Sequence, residues 1–258
     1  MTKFYQKSEI WFAVFWIILY VVGTSVADEI SNKLGVEKVI TFAYVLILSI
    51  IFLIWIFKNK LNQKYGLCKP EYGVKNFLFF LPLFVLISIN FWFGIELNLT
   101  VLESVFYVLT MLCVGFVEEI IFRGFLFKAM EKDSLKPAII VSSITFGIGH
   151  IVNLLNSSQE TLVSNICQVC YAIAVGFLFV IIFYRGKSLW PCIITHGLFN
   201  ACSLFLNKTA MSGLTEILVS IGIIVLAVGY SLILLKTLPK KESEIQVEPE
   251  IKKESNKK

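Results

Sequence analysis

Histidine and arginine are scarce in this chain of 258 residues, with two histidines and two arginines against twenty-one lysines. Ionisable groups are also nearly absent from its long apolar runs. A charged side chain at the bilayer centre costs about 2.5 kcal/mol or more on insertion scales. Yet His150 and His196 both sit inside such runs, and a third run carries adjacent Glu118 and Glu119, followed by Arg123. A chain that avoids charge elsewhere and accepts it in three segments has a use for those groups. Glutamate and histidine are the usual proton donors and acceptors of catalysis.

Other absences narrow the class. The apolar runs lack the strict two-residue alternation of a transmembrane barrel. Five of the six cysteines, all but Cys68, fall inside apolar runs, which argues against a secreted disulfide framework. Cys167 and Cys170 have redox or metal-ligand spacing, but no second pair completes a site, so they read as small packing residues. No internal repeat supports the symmetry of a transporter.

What remains is apolar. The chain is 57% hydrophobic with a mean hydropathy of +0.80, where soluble domains are typically about 45–50% apolar. Runs near 10–27, 39–57, 77–95, 104–127, 137–153, 163–184, 188–206 and 214–235 are long enough to cross a bilayer. The expected fold is all-α: a polytopic transmembrane helical bundle of about eight spans. One membrane domain over 1–235 leaves a polar tail, 236–258, expected to be a disordered cytoplasmic extension.

The net charge of +5 matters less than its placement. Lysines 58, 60, 64 and 69 follow the second run, Lys128, Lys132 and Lys136 the fourth, Arg185 and Lys187 the sixth, and Lys236, Lys240 and Lys241 the eighth. Alternate loops are acidic or mixed. The positive-inside rule puts both termini in the cytoplasm of an integral membrane protein, at the cell membrane if the source is bacterial. The basic balance implies no nucleic-acid partner; the bilayer accounts for it. Ser25-Val26-Ala27 resembles a signal-peptide cleavage site, but the run before it is long for that role and is expected to be retained. Cleavage there would leave seven spans and the same active site.

The first motif is Glu118-Glu119-Ile120-Ile121-Phe122-Arg123-Gly124. On a helix Glu119 and Arg123 are four apart and face each other, while Glu118 is turned about 100° away and left free to act as a base. The second is Phe146-Gly147-Ile148-Gly149-His150, whose glycines admit a close backbone or substrate. The third is Ser188-Leu189-Trp190-Pro191 followed by His196-Gly197-Leu198-Phe199-Asn200. His196 and Asn200 share a helical face, and both can donate to one point, as an oxyanion requires. At about 1.5 Å per residue from the nearest lysine, Glu118, His196 and His150 lie about 15, 14 and 21 Å deep, so all three can meet near mid-membrane.

Glu-Glu-x-x-x-Arg, Phe-x-x-x-His and His-x-x-x-Asn, in that order on successive apolar segments, resemble the CAAX protease and bacteriocin-processing (Abi) family of intramembrane proteases. The matching region runs from about Ser104 to Leu206. The resemblance implies an all-helical bundle, Glu118 as the base that activates water with help from His150, and His196 with Asn200 as the oxyanion pair. Glu119 and Arg123 would be supporting residues. It also implies a membrane-associated peptide or protein as substrate. A zinc site formed by Glu118, His150 and His196 is possible on paper, but no cofactor is favoured, because Asn200 beside His196 suits an oxyanion hole better than zinc. The chain has no His-Glu-x-x-His, Gly-x-Gly-Asp or Gly-x-Ser-Gly signature of other intramembrane proteases. Alternatives are a non-proteolytic bacteriocin self-immunity or partner-binding protein, and a proton-coupled transporter using the same ionisable groups.

Overall fold

The computed structural model describes residues 1–71, 80–156 and 161–237. Most of the tail, and the start of the 77–95 run, lie outside the described residues. The elements are α1 (Thr2–Lys7), α2 (Glu9–Leu34), α3 (Val39–Lys58), α4 (Leu81–Ser88), α5 (Val101–Glu131), α6 (Leu135–Gly149), α7 (Val152–Asn156), α8 (Leu162–Gly186), α9 (Trp190–Cys202) and α10 (Leu214–Thr237). Among the described residues there is no strand, only an isolated antiparallel bridge between Ile95 and Leu206. The helical bundle read from the periodicity is therefore what forms.

Among the described residues six helices are long and apolar enough to cross a membrane: α2, α3, α5, α6 as it runs on to Leu154, α8 and α10. The described parts of the other two apolar runs form shorter helices. The helix α9 has 13 residues, about 20 Å at 1.5 Å per residue, against a hydrocarbon core of about 30 Å. The helix α4 has eight residues and continues as a 3-10 turn to Phe91. The two finish together: Ile95 bridges Leu206, Glu96 N–H donates to Phe205 O, and Asn90 donates to Phe199 O at 2.9 Å. An eight-span count is thus an approximation to six spanning helices and a tied pair of short ones.

Helix ends follow local chemistry. Thr100 caps α5 in a reciprocal box with Glu103, satisfying two otherwise orphaned amides. Pro191 sits in the first turn of α9, where its missing N–H costs nothing.

The centre of the bundle is α5, which packs on α2, α3, α6 and α9, while α8 packs on α6 and α10. From Ile120 to Phe127 it is wound as a π-helix, and all eight of those residues are buried. A π turn displaces carbonyls from their usual partners and is often found at functional sites. Here Phe122 O accepts the Ser142 hydroxyl of α6 at 2.9 Å. An aromatic cluster surrounds the segment: Phe125 lies 5.1 Å from Phe12 and 5.2 Å from both Phe52 and Tyr65, all edge-on.

Candidate active site

Two glycines set the distance between α5 and α9. A Cβ on Gly115 would stand 2.5 Å from Gly197 N and 2.7 Å from its Cα. The backbones therefore touch one turn before the Glu118–Glu119 pair and one residue after His196. That contact brings two carboxylates on one helix to an imidazole on the other. Gly147 works alike between α6 and α8: its Cβ would meet Ile173 N at 2.8 Å and Val169 O at 3.0 Å. Gly149 has nothing within 4 Å, so only the first glycine of Gly-Ile-Gly-His mediates a close approach.

Glu119, Arg123 and His196 form a buried cluster. Arg123 Nη1 donates to Glu119 Oε1 at 2.9 Å, with both side chains wholly buried. The same oxygen lies 2.9 Å from His196 Nδ1. The Arg123 guanidinium rests over the Phe146 ring at 4.1 Å, a cation–π contact that offsets part of its burial. Phe146 also stands edge-on to both His196 and His150.

Glu118 faces the other side of the imidazole. Its Oε1 accepts the Tyr20 hydroxyl of α2 at 2.6 Å. Its Oε2 is 3.5 Å from His196 Nε2 and has no hydrogen-bond partner among the described residues.

These contacts assign tautomers. His196 Nδ1 lies 2.9 Å from the Glu119 oxygen that also accepts from Arg123, a contact that a hydrogen on Nδ1 satisfies. His150 caps the end of α6, and its Nδ1 lies 3.2 Å from Phe146 O, a carbonyl that can only accept. Its Nε2 is therefore the basic nitrogen. Asn165 of α8 donates to His150 O at 2.9 Å and fixes this turn.

His150, His196 and Asn200 line one pocket together with Phe146, Phe179 and Thr195. It is partly open, with about 480 Å³ of empty space counting the solvent at its mouth, and is bounded also by α4 and α8. Glu118 is not among its lining residues but lies 3.5 Å from the Nε2 of His196, which is. No group of three His, Cys, Asp or Glu side chains among the described residues is arranged to hold a metal. Glu118 Oε2 and His196 Nε2 approach each other at 3.5 Å, and His196 Nδ1 is held by Glu119.

Two things were invisible in the sequence. Tyr20, in the first apolar run, had no motif to mark it; the one available signal was a phenol in mid-span, which needs a partner when buried. The first span is therefore part of the site, and cleavage after Ala27 would remove Tyr20 along with it. Equally hidden was the double duty of Glu119, which the helical spacing paired with Arg123 alone.

No curated protein matches the chain, and no solved structure does. Residues 100–202, which contain Glu118, Glu119, Arg123, His150, His196 and Asn200, match the family model described as type II CAAX prenyl endopeptidase Rce1-like, the family whose three motifs the sequence resembles.

Proposed function

We propose that the chain is an intramembrane endopeptidase that hydrolyses a peptide bond of a membrane-associated peptide or protein, without a metal. The observation that carries this reading is the buried meeting of Glu118, His196, Glu119 and Arg123 beside a pocket lined by His150 and Asn200. Burying several ionisable groups at one point of a membrane bundle is expensive, and function is the ordinary reason for it.

The proposed chemistry divides among these side chains. Tyr20 holds one oxygen of Glu118 and leaves the other, Oε2, as the proton acceptor. A water between Glu118 and the Nε2 of His150 loses a proton and attacks the scissile carbonyl. The oxygen that becomes negative is held by the amide of Asn200 and the protonated Nε2 of His196. Glu119 accepts from Nδ1 and fixes the ring, and Arg123 holds Glu119 in place. When the tetrahedral intermediate collapses, the C–N bond breaks, and the proton taken from water passes to the leaving amine. Oxyanion donors of this kind are typically worth about 2.7–4 kcal/mol each.

Within this proposal the lysine-rich ends of the helices and both termini are cytoplasmic. The test is a comparison of membranes carrying the active chain with membranes carrying Glu118→Gln: a peptide that accumulates uncut only in the variant is the substrate. Failure of any peptide to differ, with both proteins present at equal level, would favour the non-proteolytic alternative.

A further inference from the structure

Four lysines at the basic end of the bundle differ from their neighbours. Lys64 and Lys132 both pair with Glu9, Lys128 pairs with Glu131, and Lys187 pairs with Glu71. Lys3, Lys7, Lys58 and Lys60 are exposed and make no ion pair among the described residues. Glu9, the acid nearest to Lys7 in sequence, is already shared between Lys64 and Lys132.

The chain folds so as to gather these four. Trp55 Nε1 of α3 donates to Thr2 Oγ1 at 3.2 Å, and Thr2 Oγ1 donates to Asn59 Oδ1 at 3.3 Å. Asn59 Nδ2 closes the circuit on Trp55 O at 2.7 Å. Tyr5, one turn further along α1, packs edge-on against Trp55 at 5.1 Å. These contacts fold α1 back onto the end of α3. Lys3 adjoins Thr2, while Lys58 and Lys60 flank Asn59, so charge stands on both sides of one contact. Lys7 lies four residues from Lys3, on the same face of α1. Lys60 closes α3 at a φ of +57°, a conformation usually taken by glycine. The charge is therefore held there at a small conformational cost.

An apolar stripe runs away from this cluster along α3. Ile47, Ile50, Ile54 and Phe57 are between 46% and 61% exposed. The helical period puts them within a sector of about 80°, with Lys58 about 40° from Ile54. From Ile47 to Lys58 is eleven residues, about 16 Å, or half of a hydrocarbon core of about 30 Å. The stripe has the length of one leaflet.

We propose that this corner binds one anionic phospholipid. Lys3, Lys58 and Lys60 hold its phosphate, and an acyl chain lies along Ile47, Ile50, Ile54 and Phe57. A free phosphate could use the lysines but not the stripe. In the topology proposed above, the lipid belongs to the inner leaflet, whose surface is negative.

Native mass spectrometry of the full chain in neutral detergent, titrated with phosphatidylglycerol or phosphatidylcholine, tests this. The natural chain should bind phosphatidylglycerol in preference. A lysine near an anionic surface is worth about fivefold in affinity, so Lys58→Gln with Lys60→Gln should weaken phosphatidylglycerol binding by about 25-fold. Thr2→Val keeps every lysine but frees α1, and should lose about fivefold, the share of Lys3. Lys132→Gln with Lys187→Gln removes the same charge from the same end, at lysines already paired, and should leave binding within about twofold, less than one lysine's share. Equal binding of the two lipids would overturn the proposal. So would unchanged binding in the Lys58 and Lys60 variant, an equal loss in the Lys132 and Lys187 variant, or displacement of the lipid by millimolar free glycerol phosphate. The readout is a bound lipid, so it stands whether or not the chain cleaves peptides.

Discussion

Tyr20 and Glu118 are separated by 98 residues and joined by a hydrogen bond of 2.6 Å. The contact ties the first spanning helix to the carboxylate proposed as base, and Tyr20 lies outside the segment that matches the family model. A hydrogen bond to a charged group is worth about 1.5–3 kcal/mol. Tyr20→Phe removes it while keeping the ring in its place. Cleavage should fall by about 10- to 100-fold, following 1.36 kcal/mol per decade. The loss should lie in kcat, with KM and folded yield close to those of the natural chain. An unchanged kcat would make Tyr20 a packing residue only.

Gly115 and Gly197 predict a steric phenotype. A side chain at Gly115 would enter the backbone of α9, so Gly115→Val should destabilise by about 1–3 kcal/mol, as overpacking does. It should also pull His196 from Glu119 and abolish cleavage. Gly229→Ala, where a Cβ meets nothing within 4 Å, is the matched control and should leave both properties unchanged. Thermal unfolding in detergent, with the peptidase assay, reads both.

Arg123 should behave differently from the residues that face the pocket. Arg123→Ala leaves Glu119 buried against His196 without its cation, which typically costs about 3–5 kcal/mol. Folded yield should drop with activity. Arg123→Lys restores charge but not the planar stacking on Phe146, so recovery should be partial. By contrast, His150→Ala and Asn200→Ala line a pocket and should lose cleavage with nearly normal yield.

Chelation should not silence the proposed cleavage. Prolonged treatment with a strong zinc chelator is expected to leave cleavage intact, and the purified active chain should hold no stoichiometric zinc. One zinc per chain, lost with activity and restored with it, would overturn the division of roles and turn His196 into a ligand.

Much of the architecture was legible because apolar length and helical period are set by the bilayer. The runs that became α2, α3, α5, α6, α8 and α10 are of that kind. The 188–206 run forms a helix shorter than its apolar length, since composition cannot show that Leu206 will bridge Ile95. The motif residues announced themselves by being ionisable where charge is costly. Their depths, counted from the nearest lysines, were compatible with a meeting that the Gly115–Gly197 contact brings about. What spacing could not reveal was the partner from another helix. Glu119 reaches Arg123 by helical period, but His196 only through α9; Tyr20 reaches Glu118 only through α2. The π turn at Ile120–Phe127 left no local signal either, because its carbonyl partner, Ser142, comes from α6.

The most direct test is the membrane peptide inventory of cells making the natural chain against cells making Glu118→Gln at equal level. Proteolysis by Glu118 predicts at least one membrane-associated peptide that accumulates full-length in the variant and appears cut with the natural chain. Cleavage of that peptide by Glu118→Gln at the natural rate would contradict the assignment of Glu118 as the base.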